Sequence, residues 1–91
     1  MKKRLRVIIH GKVQGVNFRW ATMEEADHLG LCGWVGNTPD RKVEAVFEGD
    51  EEAIVKILDF LKKGPPAARV SIVEEFYSDY TGSYTDFRIQ N

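Results

Sequence analysis

The stretch LCGWVGNTPDRKVEAVFE, residues 31–48, decides the fold. Leu31 to Asn37 and Lys42 to Glu48 are two short β-like runs, and Thr38-Pro39-Asp40-Arg41 between them is a Pro-Asp turn of hairpin length. Two such strands pair antiparallel. Helical patterns lie on both sides of them. Upstream, Trp20, Met23, Ala26 or Asp27, and Leu29 recur at helical spacing, and Gly30 follows as a C′ glycine with Leu31 as its apolar contact. Downstream, Asp50 stands as an N-cap with Glu51 and Glu52 in the first turn. Ile54, Ile57, Leu58 and Leu61 make one apolar stripe, Lys62 and Lys63 fill the last turn, and Gly64-Pro65-Pro66 is a stop.

Strands flank the helices in turn. Leu5, Val7 and Ile9 alternate with Arg6, Ile8 and His10, the period of two that marks a strand, and Gly11 ends the run. RVSIVEEFY (69–77) reads as a further strand, SDYTGSYT (78–85) as a polar loop and DFRIQ (86–90) as a short last strand. The expected fold is therefore α+β: a ferredoxin-like βαββαβ sandwich with an antiparallel sheet, two helices on one face and a short extra C-terminal strand. The second face of the sheet is expected to meet solvent. This architecture hosts enzymes, RNA binders and regulatory modules alike, so function has to be sought in the loops.

Composition narrows the classes. A chain of 91 residues suits one domain spanning 1–91, and 43% hydrophobic with 30% charged residues is a globular balance. The net charge of -1 provides no field for nucleic acid or an anionic membrane, so neither is expected as a partner and an anion site must be built locally. The lone Cys32 forms no internal disulfide, which fits a reducing compartment and places the expected location in the cytoplasm. MKKRLRVIIHG (1–11) imitates the charged region of a signal peptide, but Val7-Ile8-Ile9 is too short for its apolar region or for a membrane span.

The loop HGKVQGVNFR (10–19) holds the chemistry. Arg19 falls in the first helical turn, where the macrodipole makes a cation unfavourable by about 0.3–1 kcal/mol at an exposed site. An anion at the helix N-terminus compensates, because first-turn N–H groups, loop N–H groups and a guanidinium converge on it. Gly11 and Gly15 let the backbone curl and approach closely, Val13, Val16 and Phe18 anchor the underside, and Asn17 is an N-cap candidate. The plainer reading is a tight turn with Arg19 paired to Glu24 or Glu25, and spacing alone favours it.

Other phosphate sites fail on the residues. Gly15 is followed by Val16-Asn17 rather than the Lys-Ser/Thr of a P-loop, Thr38 stands where a cysteine phosphatase built on Cys32 needs arginine, and Ile9 precedes His10-Gly11 where a histidine phosphatase needs arginine. No His or acidic cluster has metal-ligand spacing. A site with an arginine, backbone donors and no nucleophile, metal or base pair positions and stabilises charge, which suits a substrate whose leaving group departs easily. An acyl phosphate is such a substrate.

GKVQGVNFR, LGLCGWVGN and KVEAVFEG, together with GPPAARV (64–70) and Phe87-Arg88-Ile89, resemble the acylphosphatase family over nearly the whole chain. The resemblance implies the same fold and cofactor-free hydrolysis of the carboxyl-phosphate bond by direct attack of water, without a covalent intermediate. It implies a monomer with inorganic phosphate as product and competitive inhibitor. It gives Arg19 the phosphate-binding role and Asn37 the positioning of the water. Gln14, Gly15, Val16, Asn17 and Phe18 then join Arg19 in the phosphate cradle, chiefly through main-chain N–H groups. The family view that a phosphate oxygen of the substrate accepts the water proton fits a neutral asparagine, which is no strong base.

Two positions depart from the family pattern. Gly36 replaces a larger, often basic residue, which removes a local positive charge and loosens the strand end that holds Asn37. Arg41 replaces a turn glycine, which points to another turn type. Among the remaining candidates, His10 is read as a packed or capping residue, Cys32 as a small apolar group, and Trp20 and Trp34 as core and rim aromatics. Glu44 and Glu48 are expected to face solvent or pair with basic neighbours. The alternatives are an accessory domain of the kind that opens hydrogenase-maturation carbamoyltransferases, which a chain ending at Asn91 does not favour, and an RNA-binding or ligand-sensing module. The RNA reading lacks a basic-aromatic strand.

Overall fold

The computed structural model describes residues 1–90; Asn91, within the domain expected over 1–91, lies outside them. Its elements are β1 (Lys2–Lys12), α1 (Phe18–His28), β2 (Cys32–Asn37), β3 (Val43–Asp50), α2 (Glu51–Lys63), β4 (Arg69–Ser78) and β5 (Phe87–Ile89). The strand order is β4-β1-β3-β2-β5. Alternation sets the face of each strand: Leu5, Val7 and Ile9 on β1 and Val43, Ala45 and Phe47 on β3 are fully buried and meet the helices. Helix α2 buries the expected Ile54, Ile57, Leu58 and Leu61. Helix α1 buries Phe18, Thr22 and Ala26 at i, i+4 and i+8, and leaves Trp20 half exposed rather than in the core.

The expected antiparallel sheet holds for four strands and is corrected at the fifth. β5 pairs with β2 in parallel, Gly33 with Phe87 and Val35 with Ile89, so the sheet is mixed. The reason lies in the connection. β4 ends beside Arg4 at one end of the sheet, and residues 79–86 carry the chain past β1 and β3 to the opposite edge, from which β5 runs back alongside β2. Phe87 anchors it by stacking on Phe47, with ring centroids 5.2 Å apart.

This crossing also corrects the expectation for the second face. Of the two expectations for Glu48 the pairing with a basic neighbour holds, with Arg4, and the carboxylate is buried as well, at 2% exposed. Its carboxylate accepts hydrogen bonds from Arg4 Nη1 (3.0 Å), Thr81 N (3.1 Å), Thr81 Oγ1 (2.6 Å) and Gly82 N (3.0 Å), and so clamps the crossing loop. Burial pushes this carboxyl up, but the Thr81 hydroxyl, Arg4 and the two backbone N–H groups outweigh it and hold it below its usual range. Glu44 pairs with Arg6 at 2.8 Å, as a basic neighbour allows.

The helix starts differ from their sequence reading as well. Asp50 occupies the N-cap position of α2 without a side-chain cap bond, while Glu51 N donates to Met1 O at 3.0 Å. β1 runs on to Lys12 through an irregularity between His10 and Gly11, so Gly11 is a bulge rather than a terminator. A Cβ there would stand 2.0 Å from Arg69 O.

Candidate active site

The end of the sheet opposite Glu48 gathers the cradle loop 13–17, the turn 38–42 and the last residues of β5. Val13 and Phe18 are 1% exposed and tie the loop to the core, with Val16 packed against it. Gly15 (φ 72°) and Asn17 (φ 67°) both take the left-handed conformation. Gly15 needs its freedom for φ alone, since no atom lies within 4 Å of its missing Cβ.

Asn17 does not act as the expected side-chain cap. A capping side chain works from an extended backbone, whereas Asn17 sits at φ 67°, ψ 20° and makes no cap bond. Left-handed residues in a turn, such as Gly15 and Asn17 on either side of Val16, aim loop N–H groups toward one side, forming an anion-binding concavity. The first turn of α1 contains no acidic residue, so its partial positive charge is not countered from within the helix.

Gly15, Asn17, Phe18 and Arg19 line one pocket with Val13, Trp20 and Ile89. Its volume of about 200 Å³ is small beside the roughly 300–1,000 Å³ that holds drug-sized ligands, and suits a small anion. Trp20 and Ile89 are the residues that sequence reasoning missed here. Trp20 reads as a core or rim aromatic by hydropathy, and Ile89 reaches the pocket only because β5 crosses to the β2 edge.

Three expected residues stand outside the lining. Val16 packs inward, Asn37 ends β2 opposite Val43, and Gln14 turns its side chain to the neighbouring turn. Gln14 Nε2 donates to Thr38 O (3.0 Å) and Lys42 O (2.9 Å), fastening the cradle loop to the turn that follows Asn37. Thr38 braces the same turn, its hydroxyl accepting from Lys42 N at 3.0 Å and contacting Asp40. Gly36 is buried in register opposite Glu44, so the strand continues unbroken to Asn37.

Arg41 corrects another expectation. It keeps the left-handed conformation at φ 69°, so the turn retains the geometry a glycine would adopt and the arginine bears the strain. His10 Nε2 lies 2.6 Å from Glu74 Oε1, away from the pocket. Among the described residues no group of three or more His, Cys, Asp or Glu is placed to hold a metal ion, and no helix is long and apolar enough to cross a membrane.

Residues 5–89 match the family model described as Acylphosphatase. A protein of Pelotomaculum thermopropionicum named acylphosphatase is 47% identical over 88 residues, covering 97% of this chain and 96% of its own. The crystal structure of acylphosphatase from Bacillus subtilis superposes with a TM-score of 0.94 at 35% identity, covering all of both chains. Full-length HypF, in its phosphate- and nucleotide-bound form, aligns with a TM-score of 0.87 at 24% identity; the match covers this whole chain and 12% of HypF, and is a likeness of fold.

Proposed function

The chain belongs to the acylphosphatase family, and from that premise we propose how its residues divide the work of hydrolysing acyl phosphates. The phosphoryl group sits at the N-terminus of α1. Main-chain N–H groups of Gln14, Gly15, Val16, Asn17 and Phe18 and the Arg19 guanidinium hold its oxygens, and Asn37 orients a water in line with the acyl oxygen. The water oxygen forms a bond to phosphorus as the bond from phosphorus to the acyl oxygen breaks. The carboxylate leaves with the electron pair, and the water proton passes to a phosphoryl oxygen of the substrate itself. No covalent enzyme intermediate and no cofactor enters, because the arginine and the oriented dipoles stabilise charge that the leaving carboxylate already accepts readily.

The observation that carries this reading is one pocket containing a left-handed glycine and asparagine, an acid-free helix start without a side-chain cap, and an arginine. By the same reading the enzyme acts as a monomer in the cytoplasm, and inorganic phosphate is both product and competitive inhibitor. Two variants test the roles. Arg19→Lys keeps the charge but loses the planar fork, and should cut kcat/KM for benzoyl phosphate by at least roughly 10²-fold. Asn37→Ala should lower kcat by about 10²–10³-fold and leave the phosphate inhibition constant unchanged. Near-normal turnover in either variant overturns its assignment. The reaction class itself is tested by cleavage of acetyl and benzoyl phosphate, with and without chelator, against a phosphate monoester that should remain intact.

A further inference from the structure

The strained arginine lies on a second groove. Gly11, Lys12, Val13, Gln14 and Arg41 line a depression of about 280 Å³, and Val13 is shared with the cradle pocket. The groove thus runs along the strand side of the cradle loop, while the apolar Trp20 and Ile89 stand in the cradle pocket. Lys12 is directly opposite Arg69 across β1 and β4, and residues so paired project to the same face of a sheet. Two like charges there repel.

No acid relieves them. Among the described residues, Lys12, Arg41 and Arg69 take part in no ion pair. The acid nearest in the turn, Asp40, is held by Lys42 at 3.0 Å and by the Thr38 hydroxyl. Glu74, two places along from Ile72 on β4, is engaged by His10. A chain of net charge -1 therefore concentrates three unmatched cations beside its anion pocket, one of them in a backbone conformation that L-residues avoid. Strain retained next to a site points to a role for the side chain there.

We propose that Lys12 and Arg41, with Arg69 beside them, form a second anion subsite that receives a carboxylate or phosphate carried on the acyl end of the substrate. The inference rests on the reading of the cradle given above. Phosphoryl recognition by Gly15 to Arg19 sets the reaction, and the basic groove sets which acyl phosphates are favoured. An uncharged acyl group gains nothing from this flank.

The test compares benzoyl phosphate with its 3- and 4-carboxy derivatives, in full-length wild type and in the Lys12→Gln/Arg41→Gln double variant, at low and at 0.5 M salt. Wild type should prefer the better-placed carboxy isomer in kcat/KM by about three- to tenfold at low salt, the scale of exposed ion pairs, and salt should reduce the preference. The double variant should bring the ratio to about one. Arg41→Gly, which fits the left-handed turn without strain, should lower the ratio while raising the melting temperature, so that loss of preference cannot come from misfolding. A wild-type ratio of one for both isomers, or a ratio unchanged in the double variant, overturns the subsite. Calorimetric binding of benzoylphosphonate and its carboxy derivatives separates the two proposals. A retained carboxylate preference with no hydrolysis of any acyl phosphate sinks the reaction and leaves the subsite standing, whereas equal binding and equal hydrolysis sink the subsite alone.

Discussion

Replacing Glu48 by glutamine tests whether one buried carboxylate holds the path of the chain from β4 to β5. Four donors converge on its two oxygens, three of them on Oε2. Glutamine keeps one acceptor oxygen and replaces the other by an NH₂, so that even with the oxygen turned to the Oε2 position Gly82 N would face a donor and Arg4 would lose its counter-charge. Breaking one partner of a buried charged network costs about 3–5 kcal/mol, a large share of the roughly 5–14 kcal/mol expected for a chain of this length. At about 4–8 °C per kcal/mol for domains of this size, the melting temperature should fall by roughly 12–40 °C. Pocket chemistry should survive below that temperature, because Phe87 stacks on Phe47 and β5 keeps its pairing with β2.

The same variant has a pH signature. The folded-state pKa of Glu48 is depressed below its ordinary 4.5, so its stabilisation is fully present above that value and is lost as pH falls through the lower folded value. The gap between wild type and Glu48→Gln should therefore be constant near neutrality and close on acidification below pH 4.5. Differential scanning calorimetry from neutral to acid pH measures both. A melting temperature within about 3 °C of wild type at pH 7, below the shift for 1 kcal/mol, would refute a clamp worth about 3–5 kcal/mol.

Three further substitutions probe the cradle. Gly11→Ala must displace the β4 backbone, since the new methyl would lie 2.0 Å from Arg69 O, and should cost at least about 3 kcal/mol in urea unfolding; Gly15→Ala meets open space and bears only the positive φ, about 1–2 kcal/mol, so the reverse order would refute the separate roles given to the two glycines. Gln14→Ala removes both bonds to the turn after Asn37 and should cost about 1–2 kcal/mol of stability while lowering kcat more than it changes KM, and an unaltered kcat would confine Gln14 to a structural role.

Local signals made α2 and the inner strands legible. Ile54, Ile57, Leu58 and Leu61 recur on one helical face between acidic and basic turns, and β1 and β3 alternate with a period of two, so a short window of sequence contains everything needed to place them. Helix α1 was less legible because its buried stripe includes Thr22 while its largest apolar residue, Trp20, lies at the pocket. The burial of Glu48 was not legible at all: its partners lie 33, 34 and 44 residues away, and no local pattern marks a carboxylate that meets them. Asn17 was ambiguous for a chemical reason, since asparagine suits both an extended cap and a left-handed residue, and only the backbone decides.

The two ends of the sheet solve opposite electrostatic problems, and the contrast explains why only one is a site. At the β3 C-terminal end, cation, carboxylate and loop donors close on one another, and Glu48 is left with almost no exposed surface to offer a ligand. The β1 C-terminal end gathers donors and cations on one surface: two left-handed residues and an acid-free helix start, with Arg19 in the pocket and Lys12 and Arg41, which make no ion pair, beside it. A folded chain tolerates such a surplus at a cost in stability, which a bound anion offsets by mass action. Saturating phosphate should therefore raise the melting temperature of wild type. The gain should be smaller in Arg19→Lys, whose single ammonium replaces the fork, and an equal gain in both proteins would mean that phosphate is held elsewhere.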